Sequence, residues 1–177
     1  TLTYSCGRNY KFSLGNGTQV STDRALIRYP SELKSSTEET ITNFQSVFCG
    51  KHYSIFMDFD NHVYACGDNT FGQCGLSDQE IAHPTKINDK KYSKVSCAQT
   101  HSIFCSENGN KVYMCGLNDQ YQFGNGELTY DNIFVPIVNW NSSLLYGGGA
   151  FSLLGNGVPS NFIQNFFNID EIILKYP

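Results

Sequence analysis

The sequence has little of what marks the commoner functional classes. Only 16% of its residues are charged, the net charge is −4, and no long basic run occurs. Lys86, Lys90, Lys91 and Lys94 form the densest basic cluster, and Asp89 dilutes it. A nucleic-acid surface wants a basic stripe, so no direct nucleic-acid partner is expected. The longest apolar stretches fall well short of the ~20 residues of a membrane helix, and no secretory leader is visible. No membrane association is expected. Prolines number five, and apolar positions recurring every 3.6 residues are missing from the body of the chain. That argues against a stack of helical repeats. The Gly-Asn-Gly triplets starting at 15, 124 and 155, and Gly147-Gly-Gly149, lack a following Lys-Ser/Thr pair. They read as turns and not as phosphate loops. Seven cysteines are present but no C-x-x-C pair, which removes the usual zinc spacing.

What the chain does have is internal repetition. Val47, Cys49, Ser54, Ile55 and Phe56 match Val95, Cys97, Ser102, Ile103 and Phe104 at a separation of 48 residues. After one inserted residue, Val63, Tyr64, Cys66, Gly67, Asn69, Gln73 and Gly75 match Val112, Tyr113, Cys115, Gly116, Asn118, Gln122 and Gly124 at 49. Periods of this length mark repeat architectures. Each unit holds short apolar runs rich in aromatic and β-branched residues, exemplified by Phe44–Cys49, Ser54–Met57 and His62–Cys66. Such runs suit strands better than helices. Asp58-Phe-Asp-Asn61 is turn chemistry, and the loop from Asn69 to Gly75 uses glycine where backbone angles are demanding. A proline follows, at Pro84 and again at Pro136, and proline lacks a ladder donor, so it belongs on an outermost strand. The expected unit is an antiparallel sheet of about four strands, the size of a propeller blade. The runs are nearly continuous, as strands buried on both faces require.

The units are expected at about residues 1–43, 44–91, 92–141 and, incompletely, 142–158, with a separate tail at 159–177. The first holds the end of a unit, because Tyr4-Ser-Cys6-Gly7-Arg-Asn9 matches Tyr113-Met-Cys115-Gly116-Leu-Asn118, and Pro30 takes the outer-strand position. Residues 31–43 are an extra segment in which Ser35/Glu38 or Ser36/Glu39 has capping-box spacing for one helical turn. In the fourth unit Leu145, Ser152, Leu153 and Leu154 align with Val95, Ser102, Ile103 and Phe104, and the Val-Tyr-x-Cys-Gly strand is then lost. The tail places Phe162, Ile163, Phe166, Phe167, Ile173 and Leu174 at spacings suited to one helical face, with a divergent strand pair as the alternative. Two complete and two partial units make an arc, and an arc exposes strand edges. The chain is therefore expected to be a piece of a longer propeller, or to be completed by a partner. Cys6, Cys66 and Cys115 share one repeat position and Cys49 and Cys97 another. Equivalent positions should lie a blade apart, beyond disulfide reach. All seven are expected to act as small buried hydrophobes, which suits an intracellular location, cytoplasmic or nuclear.

Val63-Tyr-Ala-Cys-Gly-Asp-Asn69-Thr-Phe-Gly72-Gln73-Cys-Gly75, preceded by Cys49-Gly50 and Ser54, resembles the repeat of the regulator of chromosome condensation (RCC1) family. Ala98-Gln-Thr-His101-Ser102 supplies the family's His-Ser element, and the likeness covers about residues 1–154. It implies an all-β fold, an arc of about three four-stranded blades from a seven-bladed propeller. Cysteine stands where the family usually has Trp before the glycine, Tyr53 where it has His, and Phe12 and Tyr121 where Gly72 stands. The founding member is a nucleotide-exchange factor for a small GTPase that uses a wedge-like insertion, and neither complete unit carries one. Many relatives serve as binding platforms. The resemblance implies a protein-protein scaffold, with part of an exchange factor for a small GTPase as the alternative.

Two constellations invite chemistry. Asp58-x-Asp60-x-His62 opens like a calcium loop, yet it lacks the sixth-position glycine and has Asn69 in place of the twelfth-position acid. His101 has the chemistry of a general base but no nucleophile at motif spacing. Neither metal, cofactor nor catalysis is expected, and the chain is read as no enzyme. Long loops on rigid blades carry contacts. Glu32, Glu38 and Glu39 in the extra segment, with Phe166 and Phe167 in the tail, are therefore the expected partner-binding residues.

Overall fold

In the computed structural model, which describes residues 2–18, 26–37, 43–128, 135–138 and 144–155, the repeats fold into separate antiparallel sheets. Strands β1 (Tyr4–Arg8) and β2 (Leu26–Glu32) make a two-stranded sheet. Strands β3 (Phe44–Cys49), β4 (Tyr53–Asp58), β5 (Val63–Asp68) and β6 (Glu80–Lys86) make a four-stranded meander in chain order. The next meander repeats it with β7 (Tyr92–Cys97), β8 (His101–Ser106), β9 (Val112–Gly116) and β10 (Val135–Val138). A final pair holds β11 (Leu144–Gly147) and β12 (Ser152–Gly155). Register repeats too, since Ser54 lies opposite Cys66 and Ser102 opposite Cys115. Pro84 and Pro136 sit on β6 and β10, the outermost strands, where a missing N–H costs no ladder bond.

The sheets pack face against face. Tyr53, Ile55, Val63 and Ala65 of the first meander share one core cluster with Tyr92, Val95 and Phe104 of the second. Full burial of such an apolar side chain contributes about 1.5–3 kcal/mol, so this seam dominates cohesion between neighbouring sheets. Ile103, Met114 and Phe123 repeat the arrangement against Leu145. Burial on both faces holds for β4 and β8 but not for β3, whose residues alternate between half-buried and exposed. As the first strand of its sheet, β3 has a ladder neighbour on one side alone.

Two further expectations need correction. The segment 31–43 is not all surplus: Ser31 and Glu32 complete β2, and Leu33 is buried against Phe56 and Cys66 of the next sheet. Ser31 and Glu32 are therefore strand, and Leu33 is core. The helical turn expected from Ser35 or Ser36 runs into residues that lie outside the described ones. At its start, the Ser35 hydroxyl instead accepts the Thr37 N–H in a short side-chain turn. Nor are all the cysteines buried. Cys66, Cys74, Cys105 and Cys115 are, but Cys6 and Cys49 are exposed and Cys97 is intermediate, all as free thiols. Cys49 lies on the half-exposed β3, and Cys6 lies on β1, which pairs with β2 alone. The tail at 159–177 lies outside the described residues.

Candidate functional site

Antiparallel order sends connections to two ends. The β3–β4, β5–β6 and β7–β8 connections and the start of β9–β10 share one end, and among the described residues that end carries the most elaborate loops. Three buried asparagines at one repeat position build them. Oδ1 of Asn9, Asn69 and Asn118 accepts the N–H of the residue five further on, at 2.9, 2.7 and 2.8 Å from Leu14, Cys74 and Phe123. Nδ2 of each donates to the carbonyl nine further on, at Thr18, Asp78 and Glu127. Each loop is clamped at both ends by one side chain. The tips are held in the left-handed region, with φ of 62° at Phe12, 81° at Gly72 and 57° at Tyr121. On these fixed loops Phe71 and Tyr121 are 39% and 56% exposed. Lys11 reaches from the first loop to Asp68 of the second, Nζ to Oδ1 3.0 Å. Burial pulls the Lys11 pKa down, but the hydrogen bond and charge of Asp68 outweigh it and the net shift is upward. Burial likewise raises Asp68, and hydrogen bonds from Thr70 and Lys11 more than reverse it.

Below the loops the polar groups are consumed in seams between sheets. Ser54 donates to the Ser13 carbonyl at 2.8 Å, and Ser102 lies 2.7 Å from the equivalent Gln73 carbonyl. Cys66 and Cys115 direct their thiols at the same two carbonyls, at 3.7 and 3.5 Å. Cysteine before the glycine therefore caps the neighbouring loop. Burial pushes both thiols far above the ordinary range, so neither supplies a thiolate nucleophile. Tyr53 donates to the His101 carbonyl at 2.6 Å and lies 2.9 Å from the Ser102 hydroxyl.

His101, at the position of Tyr53 one repeat later, does the same job onward: Nε2 is 2.8 Å from Ser152 Oγ. The ring is fully buried, and Nδ1 has no hydrogen-bond partner among the described residues. Burial lowers its pKa to about 4. An imidazole so weakly basic, with no acid to orient it among the described residues, makes a poor general base for Ser152. Its ring bonds a side chain of the neighbouring sheet. The folded pKa lies below the unfolded value of 6.5, so the unfolded state binds more protons between those limits. The stabilisation is complete above pH 6.5 and is lost as pH falls toward about 4. We expect the stability advantage of the parent over a His101→Gln variant to shrink by on the order of 2–3 kcal/mol across that window. Urea titrations at several pH values measure it, and a constant gap refutes it.

The remaining sequence candidates separate. Asp58 Oδ1 accepts the N–H groups of Asp60 and His62 at 3.0 and 2.8 Å, and Oδ2 accepts the Tyr64 hydroxyl at 3.1 Å. That carboxylate shapes the β4–β5 hairpin. Glu32 is half-buried at the end of β2, opposite Tyr4, in a cleft with Asn16, Lys34 and His83. Glu38, Glu39, Phe166 and Phe167 lie outside the described residues. Sequence reasoning passed over Phe71 and gave Tyr121 only as a departure from Gly72. The signal for both was there, an aromatic beside or in place of a tip glycine.

Comparison with known proteins agrees with this geometry. The sequence model of the "Regulator of chromosome condensation (RCC1) repeat" matches residues 2–57 and 60–105, and a second model of that description matches 44–73. The chain is 30% identical over 128 residues to the human "Inhibitor of Bruton tyrosine kinase", covering 70% of this chain and 9% of that protein. It is 31% identical over 93 residues to the human "RCC1-like G exchanging factor-like protein", covering 48% and 20%. Among solved structures, Prp20p from Saccharomyces cerevisiae, described with its binding properties to Gsp1p and histones, superposes with a TM-score of 0.76. Sequence identity there is 23%, and the match covers 97% of this chain and 43% of that one. The chain thus spans less than a quarter of either curated relative, and the structural likeness carries the β-propeller fold alone.

Proposed function

The chain belongs to the RCC1 repeat family, and from that premise we propose that it is a non-enzymatic propeller segment that presents its loop end to a protein partner. The observation that carries this reading is Tyr121, an exposed aromatic held at φ 57° on a loop clamped from beneath by Asn118. A non-glycine residue in that region costs about 1–2 kcal/mol, and such strain concentrates at functional sites. Phe71 extends the same surface, and exposed aromatics on rigid supports are the usual anchors of interfaces. The buried thiols and the weakly basic His101 support the absence of catalysis. Seven free thiols support a reducing compartment, cytoplasmic or nuclear. The family supports seven blades in the complete propeller, more than this chain contains.

A second reading is favoured by two of the relatives. One is named an exchanging-factor-like protein, and another is described with its binding to Gsp1p. On that reading the loop end displaces nucleotide from a small GTPase. Fluorescent-nucleotide release from a panel of small GTPases separates the two, with the full-length protein as catalyst. No acceleration is expected; a clear acceleration overturns the scaffold reading. Tyr121→Gly sharpens the test. It relieves the backbone strain, so stability is expected to hold or rise by about 0.5 kcal/mol. Retention of cross-linked partners on the loop end is expected to fall. A variant that retains every partner refutes the assignment of this face.

A further inference from the structure

At the end of the sheets opposite the aromatic loop tips, a basic cleft opens between the β6–β7 connection and the β8–β9 hairpin. Lys90 and Lys91 line it from the connection and Lys111 from the hairpin, with Tyr113, Ser106 and Glu107 beside them. All three lysines are exposed, and none has a carboxylate partner among the described residues. We propose that this cleft binds a flexible, carboxylate-rich segment of a protein partner. The site is built from the two four-stranded sheets and the connection between them, and it goes beyond the loop-end reading and is independent of it.

Comparing the two complete sheets separates these charges from what the fold requires. In the β4–β5 hairpin the Asn61 N–H donates to the Asp58 carbonyl at 3.1 Å, and in the β8–β9 hairpin the Gly109 N–H donates to the Ser106 carbonyl at 2.8 Å. The Asp58 carboxylate braces the first turn by accepting the His62 N–H at 2.8 Å. In the second, the Ser106 hydroxyl does so without charge, accepting the Lys111 N–H at 3.0 Å. Between equivalent positions Asp58 and Asp60 become Ser106 and Asn108, while Thr42, Asn43 and His62 become Lys90, Lys91 and Lys111. The turn is kept and its charge is reversed. Tyr64, which donates to Asp58 in the first sheet, becomes Tyr113, whose ring centroid lies 4.5 Å beneath Lys90 Nζ. Asp89, the acid that dilutes this lysine cluster along the sequence, is bound to Lys86 at 2.8 Å. Glu107 is the one carboxylate among the described residues lining the cleft, and its Oε1 accepts from the Asn61 amide of the first hairpin at 3.4 Å.

The chemistry of the three cations selects the partner. Contact with the Tyr113 ring holds Lys90 in place before anything binds. No arginine lines the cleft among the described residues, so the planar fork that recognises a single phosphate or carboxylate is missing. Lysine is a point charge on a flexible stem. Three such points suit several carboxylates in no fixed geometry, as an acidic disordered segment presents them. Nucleic acid fits worse. Asp58 and Asp60 occupy the neighbouring hairpin at the same end, so the positive surface breaks off where a phosphate backbone would continue.

Anisotropy of a fluorescent oligoglutamate peptide, titrated with the full-length protein, tests this. A Kd on the order of 10–100 μM is expected at ~50 mM salt, weakening roughly tenfold by ~300 mM as the Debye length shortens. Lys90→Gln and Lys111→Gln are each expected to weaken binding about threefold, and both together with Lys91→Gln about twentyfold. These side chains are exposed, so the variants keep the fold. Lys86→Gln removes the same unit charge from a lysine already paired with Asp89, and is expected to change binding less than about twofold. A protein that binds no peptide overturns the proposal. So does an equal loss in Lys86→Gln and Lys111→Gln, which would reduce the effect to overall charge. A single-stranded oligonucleotide that binds through the same three lysines more tightly than the peptide overturns the assignment to a protein segment.

Discussion

Gly67→Ala is expected to destabilise the fold by about 3–5 kcal/mol, while Gly7→Ala at the equivalent position costs about 1–2 kcal/mol. The two glycines share the same demanding backbone, at φ 109° and 110°, so conformational strain alone predicts equal penalties. What separates them is the neighbour. A Cβ on Gly67 would stand 2.5 Å from Tyr53 Cα and 2.6 Å from the His52 carbonyl oxygen. Both are backbone atoms of the paired strand and cannot swing aside. Moving them would also displace the Tyr53 hydroxyl from the His101 carbonyl in the next sheet, so damage in one blade is transmitted to its neighbour. Gly116→Ala should behave like Gly67→Ala, since its Cβ would meet the Thr100 carbonyl oxygen and His101 Cα. Urea denaturation of the three single variants decides the matter. Equal losses at Gly7 and Gly67 would show that close strand approach contributes nothing, and that backbone conformation is the whole effect.

How far the sequence carried these conclusions depended on the kind of interaction involved. Strand positions were legible because period, turn residues and proline placement are local properties: Pro84 and Pro136 mark the outer strands on sequence grounds alone. The pairing of Ser54 with Ser13 across a seam was not, because two residues 41 apart meet only after both sheets form. Cysteine burial failed as a general rule for a related reason. Cys6 and Cys66 are the same letter at the same repeat position, yet one is exposed and the other buried. The difference lies in what flanks each strand, which a repeat alignment does not encode. The candidate face illustrates a third case. Glu32, Glu38 and Glu39 drew attention as members of an extra segment, whereas the aromatics of the loop tips sit inside the repeat itself. Tyr121 departs from the pattern by one residue, and only its positive φ shows that the departure carries strain.

Asn69→Ala is expected to cost about 3–4 kcal/mol and to disorganise the loop end without melting the strands beneath it. One side chain supplies three hydrogen bonds: Oδ1 accepts the Cys74 N–H at 2.7 Å, and Nδ2 donates to the Leu76 and Asp78 carbonyls, each at 2.7 Å. Asn69 is only 1% exposed, so alanine leaves these backbone groups without partners and with little water to replace them. Asn69→Asp probes the geometry more sharply. The carboxylate still accepts from Cys74, but where the amide donated it now turns an oxygen toward two carbonyl oxygens. Like partial charges at hydrogen-bond distance repel, so the isosteric change is expected to be at least as damaging as truncation near neutral pH. Asn118→Asp offers an independent copy of the same experiment, because Asn118 makes the corresponding bonds to Phe123 and Glu127. Thermal melts report the loss of stability, and proteolysis between Thr70 and Gln79 reports where it falls. A variant at Asn69 that melts with the parent and resists cleavage there would show that the loops hold their shape without the buried amide. The rigid platform on which Phe71 and Tyr121 are presented would then lose its physical basis.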